Sequence, residues 1–372
     1  MTSEHNFNED PRSRGVSRRY FLKLLTAMGF LAGCSPRGQL TPTATGASTD
    51  APLPSNTPSP AHTPAPIETP TVTPLDEPST VVHTRHAGVW GGADKAHPEE
   101  LAPAAISQML DASITELTGL NDATGAWASL FSPEERIAIK VNTINSSNFW
   151  TRAPLVMAVT ERLQEVGVPA EQIVIFDRRN NELENAGYTV NVDGPGVRCY
   201  GTDGSYTEGW TVLDTDIGIS DILLNCDALI NMPILKQHNH SGITFAMKNH
   251  FGTFDKPRYF HRPKTGPAIV ELNALPPIWE RARLVVGDAL TVCTHCPGAW
   301  LEAVTGDSIL MSTDPVAHDT IGLQVLAEAM DSDGRDPLSA TELADPWLAE
   351  STKLGLGAND PDYIDLIEID LG

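Results

Sequence analysis

Basic residues are scarce in this chain. Its 372 residues hold 25 Lys and Arg against 48 Asp and Glu, a formal charge of −23 at pH 7. A nucleic-acid phosphate backbone requires a basic footprint, so no nucleic acid is expected as a partner. The acidic excess reads as a solvated surface that keeps the protein soluble. No G-x-S-x-G, P-loop or G-x-G-x-x-G occurs in its proper context, which leaves serine-hydrolase, P-loop and Rossmann dinucleotide readings without support. No 20–50-residue repeat is present either, so the chain is not a repeat array. Its apolar stretch nearest the start, Leu24–Ala32, falls short of the ~20 residues a spanning helix needs.

That short stretch has another use. Residues 17–34 read SRRYFLKLLTAMGFLAGC, with the twin arginine Arg18-Arg19 ahead of Phe21-Leu22-Lys23. This is the layout of a signal for the twin-arginine export machinery. It ends in Leu31-Ala32-Gly33-Cys34, which resembles a bacterial lipobox and implies lipidation of Cys34. Residues 1–34 are therefore expected to be a signal peptide, and the mature protein to sit at the extracytoplasmic face of a bacterial membrane. Residues 35–80 form a Pro/Thr/Ser-rich tract holding 11 of the 29 prolines. With few large apolar residues it cannot offset its ordering entropy, so a disordered tether is expected. A flexible coil of that length spans roughly 35–40 Å, more when stiffened by proline.

Residues 81–372 read as one α/β domain with a mostly parallel sheet flanked by helices. Val81–His86 is a first strand, and Pro98–Leu117 carries helical apolar spacing. Arg136–Val141, Pro154–Val166 and Gln172–Phe176 give strand, helix and strand, a βαβ unit. Asn191–Trp210 reads as loops and short strands. The run Asp221–Ile230 leads to a strand broken at Asn231-Met232-Pro233. Ala268–Leu275 looks helical, Ala282–Val286 is a strand ending in Gly287-Asp288, and Ser308–Met311 is a short strand ending at Asp314-Pro315. A helix opens on Pro315, and Ile364–Ile369 is the last strand.

Chemistry concentrates in Asn231–Gly252, NMPILKQHNHSGITFAMKNHFG, directly behind a buried strand. Open α/β sheets build ligand crevices at strand carboxyl ends. Lys140, Asp177, Asn231, Asp288 and Asp314 each follow an expected strand, so all five are expected to converge on one edge. Lys140, Lys236 and Lys248 suit a small anionic ligand, with Asn142, Asn231, Thr244 and Asn249 adding contacts. A buried lysine can also lose its proton and serve as base or Schiff-base amine. His238 and His240, with Asp288, Asp314 or His261, form a candidate N/O site for a divalent metal. His238, Lys236, Lys248 and Asp288 are the candidate catalytic groups. Asp314 also fits a helix cap, and Asp319 follows on the same helix.

Cys199, Cys226, Cys293 and Cys296 remain once Cys34 is set aside. An extracytoplasmic disulfide or free thiols rank ahead of an iron–sulfur cluster, because the single C-x2-C has no second pair. An enzyme-like, metal-dependent site thus stands beside two competing classes: a non-catalytic ligand-binding lipoprotein and an iron–sulfur redox protein.

Pro233, Lys236, His238, Thr244, Lys248-Asn249 and Gly252 together resemble the family called domain of unknown function 362. Ile139–Asn142, Leu272–Leu275, Arg283–Leu290, Thr313–Ala317 with Asp319, and Leu354–Gly357 extend the resemblance over about residues 81–372. It implies a fold and a site without a defined reaction. Where exported members carry a glycine-rich loop, this chain has Cys293-Thr294-His295-Cys296-Pro297-Gly298. Thr151-Arg152-Ala153-Pro154 followed by GVPAEQIVIF is faintly similar to nickel-pincer lactate racemases.

Overall fold

The computed structural model describes residues 78–91, 101–144, 149–261, 263–296 and 302–372. The signal peptide, Arg18, Arg19, Cys34 and nearly all of the tether lie outside them. Strand β1, Ser79–Arg85, begins just inside the segment assigned to the tether. Helix α1, Pro103–Thr118, starts with proline at its first turn, where the missing N–H costs nothing. Then come β2 (Ile137–Val141), α2 (Ala153–Glu165) and β3 (Ile173–Asp177). Strand β4, Arg198–Gly201, is followed by the hairpin β5–β6, Tyr206–Val212 and Thr215–Ser220. The focal segment supplies β7 (Ala228–Met232), β8 (Ile234–His238), β9 (Gly242–Thr244) and the one-turn helix α3 (Ala246–Asn249). Helix α4, Thr265–Asn273, precedes β10, Ala282–His295, and β11, Glu302–Ser312. Helices α5, Pro315–Ser332, and α6, Leu338–Lys353, lead to β12, Ile364–Asp370.

Among the described residues ten strands join one sheet in the order β12-β1-β11-β10-β7-β2-β3-β4, with β8 pairing with β10 and β9 with β8. Strands β10, β7, β2, β3 and β4 run parallel, as the β2-α2-β3 unit demands. Strand β11 is antiparallel to both β10 and β1. The fold is therefore α/β with a mixed, mostly parallel sheet. A separate hairpin pairs β5 with β6.

The period-2 alternation of strands decides which side chains meet. Ile137, Ile139 and Val141 of β2, with Ile230 of β7 and Val286 of β10, enter the core under α1 and α2. Ala138 and Leu229 face the other core, shared with α4, α5 and α6. Lys140 and Asn231 follow Ala138 and Leu229 by two, and they are register partners, so they project on that second face.

Three expectations are corrected here. Strand β10 does not stop at Val286 but runs on to His295, zipped against β11 through two register shifts. Asp288 is thus an interior strand residue rather than a strand end. Being two residues beyond Val286, it projects on the face opposite to Lys140. Asp314 follows β11, whose antiparallel course places Ser312 beside Val285, near the start of β10. It therefore sits at the opposite edge from the ends of β2, β3 and β7, and the five-residue convergence does not form. Helix α6 had no counterpart in the sequence reading, because Asp345-Pro346 interrupts its pattern.

Candidate functional site

The carboxyl ends of β2 and β7 are tied together by side-chain amides. Asn249, the last residue of α3, donates from Nδ2 to Asn231 Oδ1 at 2.7 Å and to the Lys140 carbonyl at 3.2 Å. Its Oδ1 accepts from Asn142 Nδ2 at 3.0 Å and Lys140 Nζ at 3.3 Å. Asn142 Oδ1 accepts in turn from Lys236 Nζ at 2.8 Å. Asn231 Nδ2 donates to the Ala246 carbonyl at 2.7 Å. Asp319 of α5 receives the Ala246 and Met247 amide N–H groups on its two carboxylate oxygens, at 2.6 and 2.9 Å. That cap satisfies two donors at the start of α3 and fixes the turn that delivers Lys248 and Asn249. Asp319, ambiguous in sequence, is thus a positioning group.

Above this lattice lies a cleft of about 470 Å3, a volume suited to a small molecule. Lys140, Lys236, Lys248, Thr244, Asn142 and Asn249 line it, as do Asp177, His238 and His261. The three lysines differ in how their charge is used. Lys140 is 1% exposed and forms an ion pair with Asp177 Oδ1 at 2.8 Å. Asp177 Oδ2 also accepts from the Thr143 amide and hydroxyl, both at 2.7 Å. Gly252 passes close beside this pair: a Cβ there would lie 2.6 Å from Asp177 Oδ1 and 2.7 Å from Lys140 Nζ. Lys236 and Lys248, each 7% exposed, have no carboxylate within ion-pair distance among the described residues. Among the described residues Lys248 has only the Phe251 ring, 4.5 Å from its Nζ.

Burial, which penalises the charged form, dominates the titration of these groups. Desolvation lowers Lys248 to about 7, helped by the positive Lys236. Lys236 is lowered to about 8 by desolvation and by Lys140, with Asp177 opposing. Thr244 Oγ1, 3% exposed, has no hydrogen-bond partner among the described residues, and neither has Gln237 Oε1. Buried polar groups are normally satisfied, so orphans on a cleft wall point to a ligand.

His238, His240 and His261 gather at the rim, with ring centroids 5.4 to 5.8 Å apart. Two of their nitrogens are engaged by neighbouring groups. His238 Nδ1 accepts from the His240 amide at 3.2 Å and lies 3.0 Å from Ser241 Oγ. His261 Nδ1 donates to the Pro257 carbonyl at 2.9 Å. Burial, together with Lys248 and the neighbouring imidazoles, pushes the His238 pKa far down, so it stays neutral and is not poised as a general acid near pH 7. Asp288 is engaged elsewhere. It is ion-paired to Arg152 Nη1 at 3.0 Å and accepts the Arg152 amide at 3.0 Å. Asp314 caps α5 through the Val316 and Ala317 amides. The metal set of His238, His240, Asp288 and Asp314 is accordingly not assembled. Among the described residues no three His, Cys, Asp or Glu are disposed to hold a metal. Cys293 and Cys296 are joined as a disulfide, whereas Cys199 and Cys226 are buried in different cores with thiols pushed up to about 12 by desolvation.

The family model described as Domain of unknown function (DUF362) matches residues 137–324. The chain belongs to the DUF362 family. The matched stretch runs from β2 into α5, so it contains every lysine and amide of the cleft. Comparison with curated proteins finds no match. Among solved structures, the lactate racemase apoprotein from Thermoanaerobacterium thermosaccharolyticum is similar at 10% identity and a TM-score of 0.40, covering 60% of this chain and 56% of that one. A structural-genomics protein from Thermotoga maritima is similar at 11% identity and 0.37, over 67% and 60% of the two chains. This DUF362 chain thus spans less than two thirds of either.

Sequence reasoning placed Lys140, Asn142, Asn231, Lys236, His238, Thr244, Lys248 and Asn249 in this one region. It missed the role of Asp177 as the counter-ion of Lys140, although its place at the end of β3 was legible. It also missed Phe251, whose ring beneath Lys248 has no signature in the sequence.

Proposed function

We propose that this DUF362 protein is exported by the twin-arginine route, held to the extracytoplasmic face of a bacterial membrane through Cys34, and uses its cleft as an enzyme-like site for a small anionic compound. One observation carries the ligand class. Two lysines, Lys236 and Lys248, are buried on a cleft wall with no carboxylate partner among the described residues. An uncompensated buried cation costs several kcal/mol, and a carboxylate or phosphate between the two would relieve that cost. Lys140 contributes less, because Asp177 already neutralises it. Thr244 Oγ1 and the Asn142–Asn249 amides orient the bound anion, and neutral His238 offers a further hydrogen bond at the rim. No metal-dependent step enters this reading.

Titration calorimetry of the full chain with pyruvate, oxalate and inorganic phosphate tests it. Saturable binding that disappears in Lys236→Met is expected. Unchanged binding in that variant, or none of the three anions bound, would refute the anion site. For the anchor, Cys34→Ser moves the protein from the membrane to the soluble fraction, and Arg18→Lys with Arg19→Lys retains it in the cytoplasm.

A further inference from the structure

We infer that Lys248 is a nucleophilic amine that forms a Schiff base with a small aldehyde or ketone carrying a carboxylate, a 2-oxo acid. The inference rests on the anion site proposed above and names the substrate class it takes. The geometry separates the three cleft lysines by availability. Lys140 is consumed by Asp177, and Lys236 is aimed by its hydrogen bond to Asn142 Oδ1. Lys248 alone of the three has neither hydrogen bond nor ion pair among the described residues, only an aromatic face. A ring face tolerates both a neutral amine and a cation, so the ammonium can lose its proton there without orphaning a buried carboxylate. Its depressed basicity leaves much of it neutral near pH 7, which is what attack on a carbonyl requires.

The cleft supplies the rest of the step. Lys236 holds the carboxylate of the 2-oxo acid, which brings the adjacent carbonyl carbon towards Lys248. The amine nitrogen attacks that carbon, a C–N bond forms, and the carbonyl π pair moves to oxygen. Thr244, whose hydroxyl lacks a partner, donates a hydrogen bond to that oxygen. A proton shift gives the neutral carbinolamine. Loss of one water and formation of the C=N bond give the imine, with no oxidant or reductant consumed.

Borohydride trapping tests this on the full chain with glyoxylate as the probe. Hydride adds to an imine carbon and fixes the adduct as a secondary amine, which intact mass and peptide mapping locate. The expected result is one adduct on Lys248, formed faster as pH rises through about 7 and then levelling, as its lowered pKa requires. Lys248→Arg loses the adduct, while Lys353→Arg, at an exposed lysine, keeps it. Because the site is mapped on the unaltered protein, the test survives a variant that fails to fold. Adducts confined to exposed lysines would overturn the inference. So would glyoxylate that binds in calorimetry but leaves no adduct, an outcome that spares the anion site. Failure to bind at all would remove both readings.

Discussion

The two edges of the sheet treat buried polar groups in opposite ways. At the edge where β11 ends, Asp314 is saturated. It accepts from Ser79 Oγ at 2.6 Å, from the Val316 and Ala317 amides at 2.8 and 2.9 Å, and from the Ala358 amide at 2.8 Å. At the edge where β2, β3 and β7 end, Lys248 and Thr244 Oγ1 are buried with no hydrogen-bond or ion-pair partner among the described residues. A satisfied buried group reports on folding. An unsatisfied one on the wall of a cleft reports on something that comes and goes. Both edges carry the strand-end polar residues that suggest a site in sequence, and at the second edge Thr244 Oγ1 and Gln237 Oε1 on the cleft wall lack partners among the described residues.

Substitutions at the saturated places should therefore cost stability, and substitutions at the unsaturated edge should cost binding. The largest stability effect is expected from Arg152→Ala. It strands the Asp288 carboxylate, fully buried and ion-paired to Arg152, and breaking such a pair costs about 3–5 kcal/mol. Denaturant unfolding measures it, and a loss below 1 kcal/mol would show that water or another donor reaches Asp288. Asp314→Ala follows at about 1–2 kcal/mol, the range of a lost helix cap. Lys248→Met should unfold no more easily than the parent near pH 6, because it removes a cation the fold disfavours. A marked loss of stability there would mean that Lys248 has a structural partner, and the contrast between edges would fail.

How much of this was legible in the sequence follows from what each residue depends on. Lys140 and Asn231 could be placed together because each ends an apolar β-branched run, and parallel strands bring such ends to one edge. Asp288 and Asp314 could not, since their placement depends on the antiparallel course of β11. A single chain shows where strands are, and their direction beside non-consecutive neighbours is settled by tertiary packing. Gly287 illustrates the difficulty. It reads as a strand terminator, yet β10 continues through it paired with β11, and a Cβ there would lie 2.3 Å from Phe245 Cζ and 2.6 Å from His318 Nε2. The glycine marks a close approach of ring and backbone rather than a turn. Asp177 had the opposite problem. Its position was clear, but its pairing with Lys140 depends on how two side chains at neighbouring strand ends turn towards each other.

The last expected effect is the most selective one. Lys248 and Lys236 titrate near 7 and 8 in the fold, against an ordinary 10.5. From about pH 7 upward the unfolded chain therefore binds more protons than the folded one, and stability rises with pH. Below about pH 7 both states are protonated at Lys248, so its contribution to the slope vanishes. Each differential proton adds at most about 1.4 kcal/mol per pH unit. Cys199 and Cys226 oppose this, because burial lifts them from 9.0 to about 12 and makes the unfolded state the one that loses protons first, nearer pH 9. The clean window is thus roughly pH 7 to 8.5. Across it, thermal or urea unfolding should show rising stability in the parent and a shallower rise in Lys248→Met. A saturating anion should flatten the parent as well, because it restores the lysine proton in the folded state. A parent that is already flat without anion would mean the two ammonium groups have found their counter-charge within the fold, and the two edges would no longer differ.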